Sequence, residues 1–295
     1  MDVKQSLLEQ GFARVIALDG APWGGGTLLL ALWAYEAEAQ PAASGAWIHP
    51  YYFASQQAYM AASEVTKRAQ AAGVGLAMRD EIRVKPIFAC LPGFSQGRNT
   101  LSYVDGLGSR FHVQILLAED VLPFDLTMED APHPLHCGEC RACIDACPSG
   151  ALDEDGFHRE KCLRNWMMSG QPVPEALRPL MGNRLMGCDE CQRCCPHNPP
   201  PAGKVREEIP LAQLLGSTKA SCAMLRQSIG ANMAIPNRVL GQACLIAGCS
   251  GDASLLPELT RLASSPSPVV STHAAWAANA LSVRKTGCAK DENTL

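Results

Sequence analysis

Nine of the chain's fourteen cysteines fall between Cys137 and Cys195; the other five are Cys90, Cys222, Cys244, Cys249 and Cys288. In the run "CGECRACIDACPSGAL" (137–152), Cys137, Cys140, Cys143 and Cys147 follow one another at spacings of three, three and four, with Pro148 directly after. This C-x2-C-x2-C-x3-C-P spelling is the ligand pattern of bacterial ferredoxins, in which three thiolates hold one [4Fe-4S] cubane and the fourth reaches to another. A second set must therefore exist. It follows as "GCDECQRCCPHN" (187–198), with Cys188, Cys191 and Cys195 closed by Pro196, and the lone Cys162 of "REKCLRNW" stands between the two runs. The crossover rule assigns Cys137, Cys140, Cys143 and Cys195 to one [4Fe-4S] cluster and Cys147, Cys162, Cys188 and Cys191 to the other. Cys194 is left over, a neighbour in a turn that can exchange with Cys195 in a damaged cluster.

Paired C-x2-C knuckles also describe a zinc ribbon, but zinc needs neither a third cysteine three residues on nor a Cys-Pro closing each run. His136 and His197 flank ligand cysteines and are read as hydrogen-bond donors to sulfur or as solvent-facing groups, not as ligands. Disulfides are disfavoured: the chain has 295 residues and its opening "MDVKQSLLEQGF" has no basic, then apolar, secretory pattern. We expect a cytoplasmic, monomeric protein in a reducing compartment. No apolar run approaches the roughly 20 residues that span a bilayer, so no membrane partner is expected. Hydrophobic residues make up 47% and charged residues 18%, a globular balance, and the net charge of −4 excludes a whole-molecule field for nucleic acid.

Positioning these thiolates takes three parts, an α+β multidomain arrangement. Residues 1–130 alternate helix and strand, an α/β pattern: a short amphipathic helix in "VKQSLLEQGF" ending at Gly11, a strand in "ARVIALD", and an apolar run in "TLLLALWAY". From Ala58 to Ala72 small apolar residues share one helical face and Gly73 closes the helix, and "FHVQILLAE" reads as a later strand. "PWGGGT" lacks the Lys-Ser/Thr of a phosphate loop and is read as a turn between strands. The glycine-rich stretch 93–111, "GFSQGRNTLSYVDGLGSRF", offers backbone and donors that can approach a large ligand closely. Residues 131–203 form the double-cluster, ferredoxin-like domain. Residues 204–295 read as helix, Gly-Asp turn, helix, Ser-Pro turn, helix, a HEAT-like helical tail in which Cys222, Cys244 and Cys249 are small buried hydrophobes. Its segment 201–295 carries nine Lys and Arg against six Asp and Glu, a modest positive excess toward phosphate.

With these residues in hand, the chain resembles the epoxyqueuosine reductase family, cobalamin and iron-sulfur proteins related to reductive dehalogenases. The likeness is densest in "PEALRPLMGNRLMGCDECQRCCPHN" (174–198), and "GRNTL" with the later "GS" matches the family's corrinoid-pocket segment. The resemblance implies an α/β corrinoid-binding N-terminal domain, two [4Fe-4S] clusters plus cobalamin, and corrinoid contacts from Gly97, Arg98, Asn99, Thr100, Gly108 and Ser109. It further implies an oxidoreductase that passes electrons from a ferredoxin or flavodoxin to cobalt, with tRNA bearing the queuosine precursor as substrate. The family's "V-D-[ST]-[GA]-P-x-x-E-R" stretch is replaced here by "MRDEIRVKPIFACLPGFSQGRNT", which leaves Asp80 as the candidate proton donor and the substrate open. The alternative is an iron-sulfur electron-transfer or corrinoid-activating protein without its own tRNA substrate.

Overall fold

A computed structural model describes all residues except 39–44, 131, 134–136, 201–205, 207, 217 and 289–295. His136 and the expected boundary near 203 lie outside the described residues. The backbone groups into two compact units, each assembled from three segments: Met1–Ala37, Pro50–Asp145 and Cys191–Pro201 in the first, Glu38–His49, Ala146–Glu190 and Ala202–Leu295 in the second. These units are not the three consecutive parts expected from composition.

The first unit is built on one four-stranded sheet. Helix α1 (Val3–Glu9) starts where the Asp2 carboxylate accepts from the Gln5 N–H at 3.0 Å, and it buries Val3 and Leu7. Strands β1 (Arg14–Asp19) and β2 (Thr27–Ala34) follow as a hairpin, then helix α2 (Pro50–Ala71), strand β3 (Leu76–Met78), the small hairpin β4 (Phe94–Gln96) and β5 (Ser102–Val104), and β6 (Phe111–Ala118). The sheet order is β1-β2-β6-β3 and every pairing is antiparallel, so the alternation of helix and strand does not produce parallel β-α-β pairing in this sheet.

β2 is apolar on both faces because both faces are covered. Leu29 and Ala31 point to one side, with Ala58, Ala62, Val65 and Ala69 of α2; Leu28, Leu30 and Leu32 point to the other, with Ile87, Phe88, Leu91 and Phe111. The alanine stripe of α2 lets the helix approach the sheet closely. "PWGGGT" is a turn between strands, as expected. Gly26 is there of necessity: its φ is +69°, and an added Cβ would stand 1.9 Å from the Ala118 carbonyl oxygen.

In the second unit the helix Pro236–Ser250 is central, buried without interruption from Val239 to Gly248. A Cβ on Gly248 would lie 2.8 Å from the Ala277 Cα, so the helix Pro268–Cys288 packs backbone to backbone against it. Between them Gly251 ends the first helix in the left-handed region, and the Asp252 carboxylate accepts from the Ser254 N–H at 2.9 Å before the helix Leu256–Leu262. The helix-turn-helix rhythm of the tail is thus as expected. Cys222 and Cys244 are buried as small hydrophobes, whereas Cys249 is only half-buried, with its S–H facing the Arg178 and Pro179 carbonyls. His273 links the tail to the loop at 173: its Nε2 accepts from the Val173 N–H at 2.8 Å while Nδ1–H donates to the Gly241 carbonyl at 3.0 Å. No helix among the described residues is long and apolar enough to cross a membrane.

Two outcomes are expected. Gly26→Ala and Gly25→Ala share a left-handed backbone, but only the first meets an atom; urea denaturation is expected to show Gly26→Ala less stable by a further ~1–3 kcal/mol. Burial holds His273 down to about 4. The unfolded chain therefore takes up the proton first, so this stability is complete above about pH 6.5 and is lost as pH falls toward 4, by up to about 3 kcal/mol. Denaturant midpoints of the His273→Gln variant are expected to fall less steeply across that window than those of the parent.

Candidate iron-sulfur centre

The first unit contains Cys137, Cys140, Cys143, Cys191, Cys194 and Cys195, and the second contains Cys147, Cys162 and Cys188. The first proposed ligand set, Cys137, Cys140, Cys143 and Cys195, therefore lies wholly within one unit. Its members sense one another. Burial pushes the Cys143 thiol up, and the neighbouring charges of Cys137, Cys195 and Cys140 push it the same way. Thiolates gathered like this repel unless cations lie among them, which is the electrostatic condition that iron satisfies. Cys194 shares the neighbourhood, pushed up to about 11 by burial and by Cys143 and Cys195.

What delivers these sulfurs is the hairpin β4-β5. Its tip closes with Gly97 N–H to Leu101 O and Thr100 N–H to Gly97 O, both at 2.9 Å, with Thr100 in the left-handed region at φ +63°. From that tip the Arg98 N–H donates to Cys137 Sγ at 3.2 Å, and the Arg98 guanidinium donates to the Gly138 carbonyl at 3.0 Å. The Asn99 amide donates to the Cys191 carbonyl at 2.8 Å and to the Tyr103 hydroxyl at 2.9 Å, and that hydroxyl donates to Cys195 Sγ at 3.1 Å. Donors aimed at ligand sulfur are the usual surroundings of a cluster thiolate.

A second grip lies just beyond. Ser109, Gln192 and Asn198 are all buried. The Asn198 Oδ1 accepts from the Ser109 N–H at 2.8 Å, its Nδ2 donates to the Gln192 carbonyl at 2.8 Å, and the Gln192 amide donates to the Ser109 carbonyl at 3.0 Å. Gly108 permits the approach, since a Cβ there would stand 2.4 Å from Asn198 Oδ1 and 2.8 Å from the His197 carbonyl. Arg98, Asn99, Gly108 and Ser109, which the family resemblance implies as corrinoid contacts, thus also meet the cysteine segment, while Gly97 bonds within the hairpin. Thr100 contributes its carbonyl, which accepts from the Lys85 ammonium at 2.8 Å.

In the second unit, Cys147 Sγ accepts from the Ala151 N–H at 3.2 Å, the turn that follows the Cys-Pro. Cys162 stands at the start of the helix Leu163–Ser169. Cys188 packs against the apolar group of Leu163, Met167, Val173, Met181 and Leu245, and burial pushes its thiol up to about 11 against the pull of Arg184. Cys191, the fourth of this set, follows Cys188 by three positions in the chain and belongs to the first unit. Among the described residues, no group of three or more His, Cys, Asp or Glu side chains is placed to hold a single metal ion.

Asp80 belongs to a different polar line, in the first unit. It accepts from the Gln114 amide at 3.1 Å; the Gln114 Oε1 meets His112 Nε2 at 3.0 Å, and His112 Nδ1 meets the Tyr51 hydroxyl at 3.1 Å. Since the amide donates to Asp80, its oxygen must accept from His112 Nε2–H, and Tyr51 then donates to the bare Nδ1. Burial pushes His112 down, in keeping with this neutral form. Of this line only Asp80 is singled out by the sequence; Gln114, His112, Tyr51 and Tyr103 carry no local signal, and the "Q" and "N" inside "CDECQRCCPHN" are the available signal for Gln192 and Asn198.

Replacing Cys143 by Ser is expected to remove about half of the bound iron, measured after anaerobic reconstitution, whereas Cys222→Ser, buried in the second unit's helices, is expected to retain all of it.

Residues 136–198 match the family model described as a 4Fe-4S double cluster binding domain. The epoxyqueuosine reductase of Bacillus subtilis (strain 168) is 30% identical over 196 residues, covering 63% of this chain and 49% of that protein. That of Escherichia coli (strain K12) is 38% identical over 104 residues, covering 35% of this chain and 26% of that protein. The chain thus spans about half or less of the length of these curated relatives. Among solved structures, an epoxyqueuosine reductase with a tRNA-Tyr epoxyqueuosine-modified stem loop superposes with TM-score 0.72 at 18% identity, covering 95% of this chain and 89% of that one. The Streptococcus thermophilus enzyme gives 0.70 at 18% identity with the same coverage. In sequence across the cysteine segment, and in fold across nearly the whole chain, this protein resembles the epoxyqueuosine reductases.

Proposed function

We propose that the protein is an oxidoreductase of the epoxyqueuosine reductase type, acting on a modified nucleoside of tRNA with single electrons supplied by a ferredoxin or flavodoxin. The observation that carries this reading is the first-unit set of four cysteines, two of whose sulfurs accept hydrogen bonds from one hairpin. When bound, two [4Fe-4S] clusters supply one-electron relay and cobalamin supplies a low-potential reducing centre. Cys137, Cys140, Cys143 and Cys195 would hold one cluster and Cys147, Cys162, Cys188 and Cys191 the other.

The corrinoid enters on the resemblance alone. Four of the residues assigned to it, Arg98, Asn99, Gly108 and Ser109, already meet the cysteine segment, and we derive no step through it. Asp80 is the candidate proton donor: opening an epoxide needs an acid within reach of the departing oxygen, and the Gln114 amide fixes which carboxylate oxygen is left to act. A Bacillus subtilis structure with a catalytic aspartate loop swung out of its active site supports an aspartate in this role. The positive excess of the HEAT-like tail, and a neighbour solved with a tRNA stem loop, support tRNA as partner. The loop's commitment to the cysteines favours a second reading, an electron-transfer or corrinoid-activating protein without its own tRNA substrate.

Anaerobic reconstitution separates these. Iron and sulfide near eight each, retained cobalamin and conversion of epoxyqueuosine tRNA are expected; two clusters with no corrinoid retained would select the second reading, and zinc in place of iron would overturn both. In the active protein, Asp80→Asn is expected to lower turnover by roughly 10²–10⁴-fold with iron content unchanged.

A further inference from the structure

Tyr103 sits where its hydroxyl has two jobs. Its O–H donates to Cys195 Sγ at 3.1 Å, and its oxygen accepts from the Asn99 amide at 2.9 Å. Asn99 is itself fixed on three sides: its other amide hydrogen goes to the Cys191 carbonyl at 2.8 Å, and its Oδ1 accepts from the Leu101 N–H at 3.2 Å. Both residues are buried, Tyr103 to 6% and Asn99 to 6% exposure, so water does not compete for these bonds. The ring also has a reserved place, since a Cβ on Gly97 would stand 2.5 Å from Tyr103 Cε2. With the Asn99 amide hydrogen on its oxygen and the Ser109 side chain as a further hydrogen-bonding neighbour, the hydroxyl directs its own proton at sulfur.

We propose that Tyr103, held by Asn99, is a positioning residue that sets the reduction potential of the cluster ligated by Cys195, raising it relative to a site without the bond. This rests on the iron-sulfur reading above. The reason is electrostatic. When a [4Fe-4S] cluster takes up one electron from an external one-electron donor, no bond forms or breaks and no proton need move. Negative charge on its sulfurs increases, so a fixed O–H dipole aimed at one of them stabilises the reduced form more than the oxidised form. The Arg98 N–H on Cys137 acts in the same sense and, being backbone, is not removable by substitution. Tyr103 is the adjustable member of the pair.

The test is an anaerobic redox titration with dithionite, followed by electron paramagnetic resonance, on the full chain with iron determined in parallel. In Tyr103→Phe one cluster is expected to become about tenfold harder to reduce, about 59 mV more negative for a one-electron couple, while the other cluster and the iron content stay as in the parent. A ring-fluorinated tyrosine at position 103, a stronger donor in the same place, is expected to move that same cluster to a more positive potential. The exposed Tyr59→Phe serves as control. Potentials unmoved in both Tyr103 variants would overturn the inference, and so would iron loss in Tyr103→Phe combined with no positive shift from the fluorinated residue. A parent protein without two iron-sulfur signals would instead refute the functional reading on which it rests.

Discussion

The constraint on which the rest of the structure depends is the mutual repulsion of sulfur. Several thiolates brought together and partly withdrawn from water are unstable as a group, and burial together with like charge pushes Cys143 up. A fold that assembles them must fix their backbone independently and bring positive ends of dipoles to face them. The hairpin Phe94–Val104 does both. Its tip bonds to the main chain at Gly138 and Cys191, and its donors point at the sulfurs of Cys137 and Cys195.

That hairpin is rigid because of what lies behind it. Phe94 and Val104 are part of the same apolar group as Leu28, Leu30 and Ile115, on the face of the sheet away from α2, and Phe88 stacks on Phe94 with ring centroids 4.6 Å apart. The chemistry is therefore supported through a short path: sheet, aromatic pair, hairpin, sulfur. The buried Ser109, Gln192 and Asn198 secure the far end of the cysteine run in a different way. Their hydrogen bonds are exchanged among themselves and with backbone, so few polar atoms are left uncompensated where water is absent. Glycine at 108 is the geometric condition for that closure.

The glycine-rich stretch 93–111 shows what such residues do inside the protein. Residues of this kind suggest close approach to a large ligand, and in this protein the close approach is made to the protein's own cysteine segment. The same donors that would grip a cofactor grip Gly138, Cys191 and Asn198. Small residues and free backbone state that something is approached closely; which protein groups they meet is set by the tertiary structure.

The amino-acid sequence by itself determined the local chemistry. The ligand types and their spacing, the Cys-Pro punctuation, the helix from Ala58 closed by Gly73, the three-glycine turn and the helical rhythm of the tail are all set by residues within a few positions of one another, so they are legible along the chain. Only the tertiary structure decided which donors meet which sulfur. Tyr103 and Cys195 are 92 positions apart, Arg98 and Cys137 are 39 apart, and Ser109 and Asn198 are 89 apart. It also decided that the sheet is antiparallel throughout and that Asp80 is held by Gln114 from a strand 34 positions away. A side chain's type states what it can donate or accept, but its partner is fixed by the packing of apolar faces that brings distant segments together, and no local pattern carries that information.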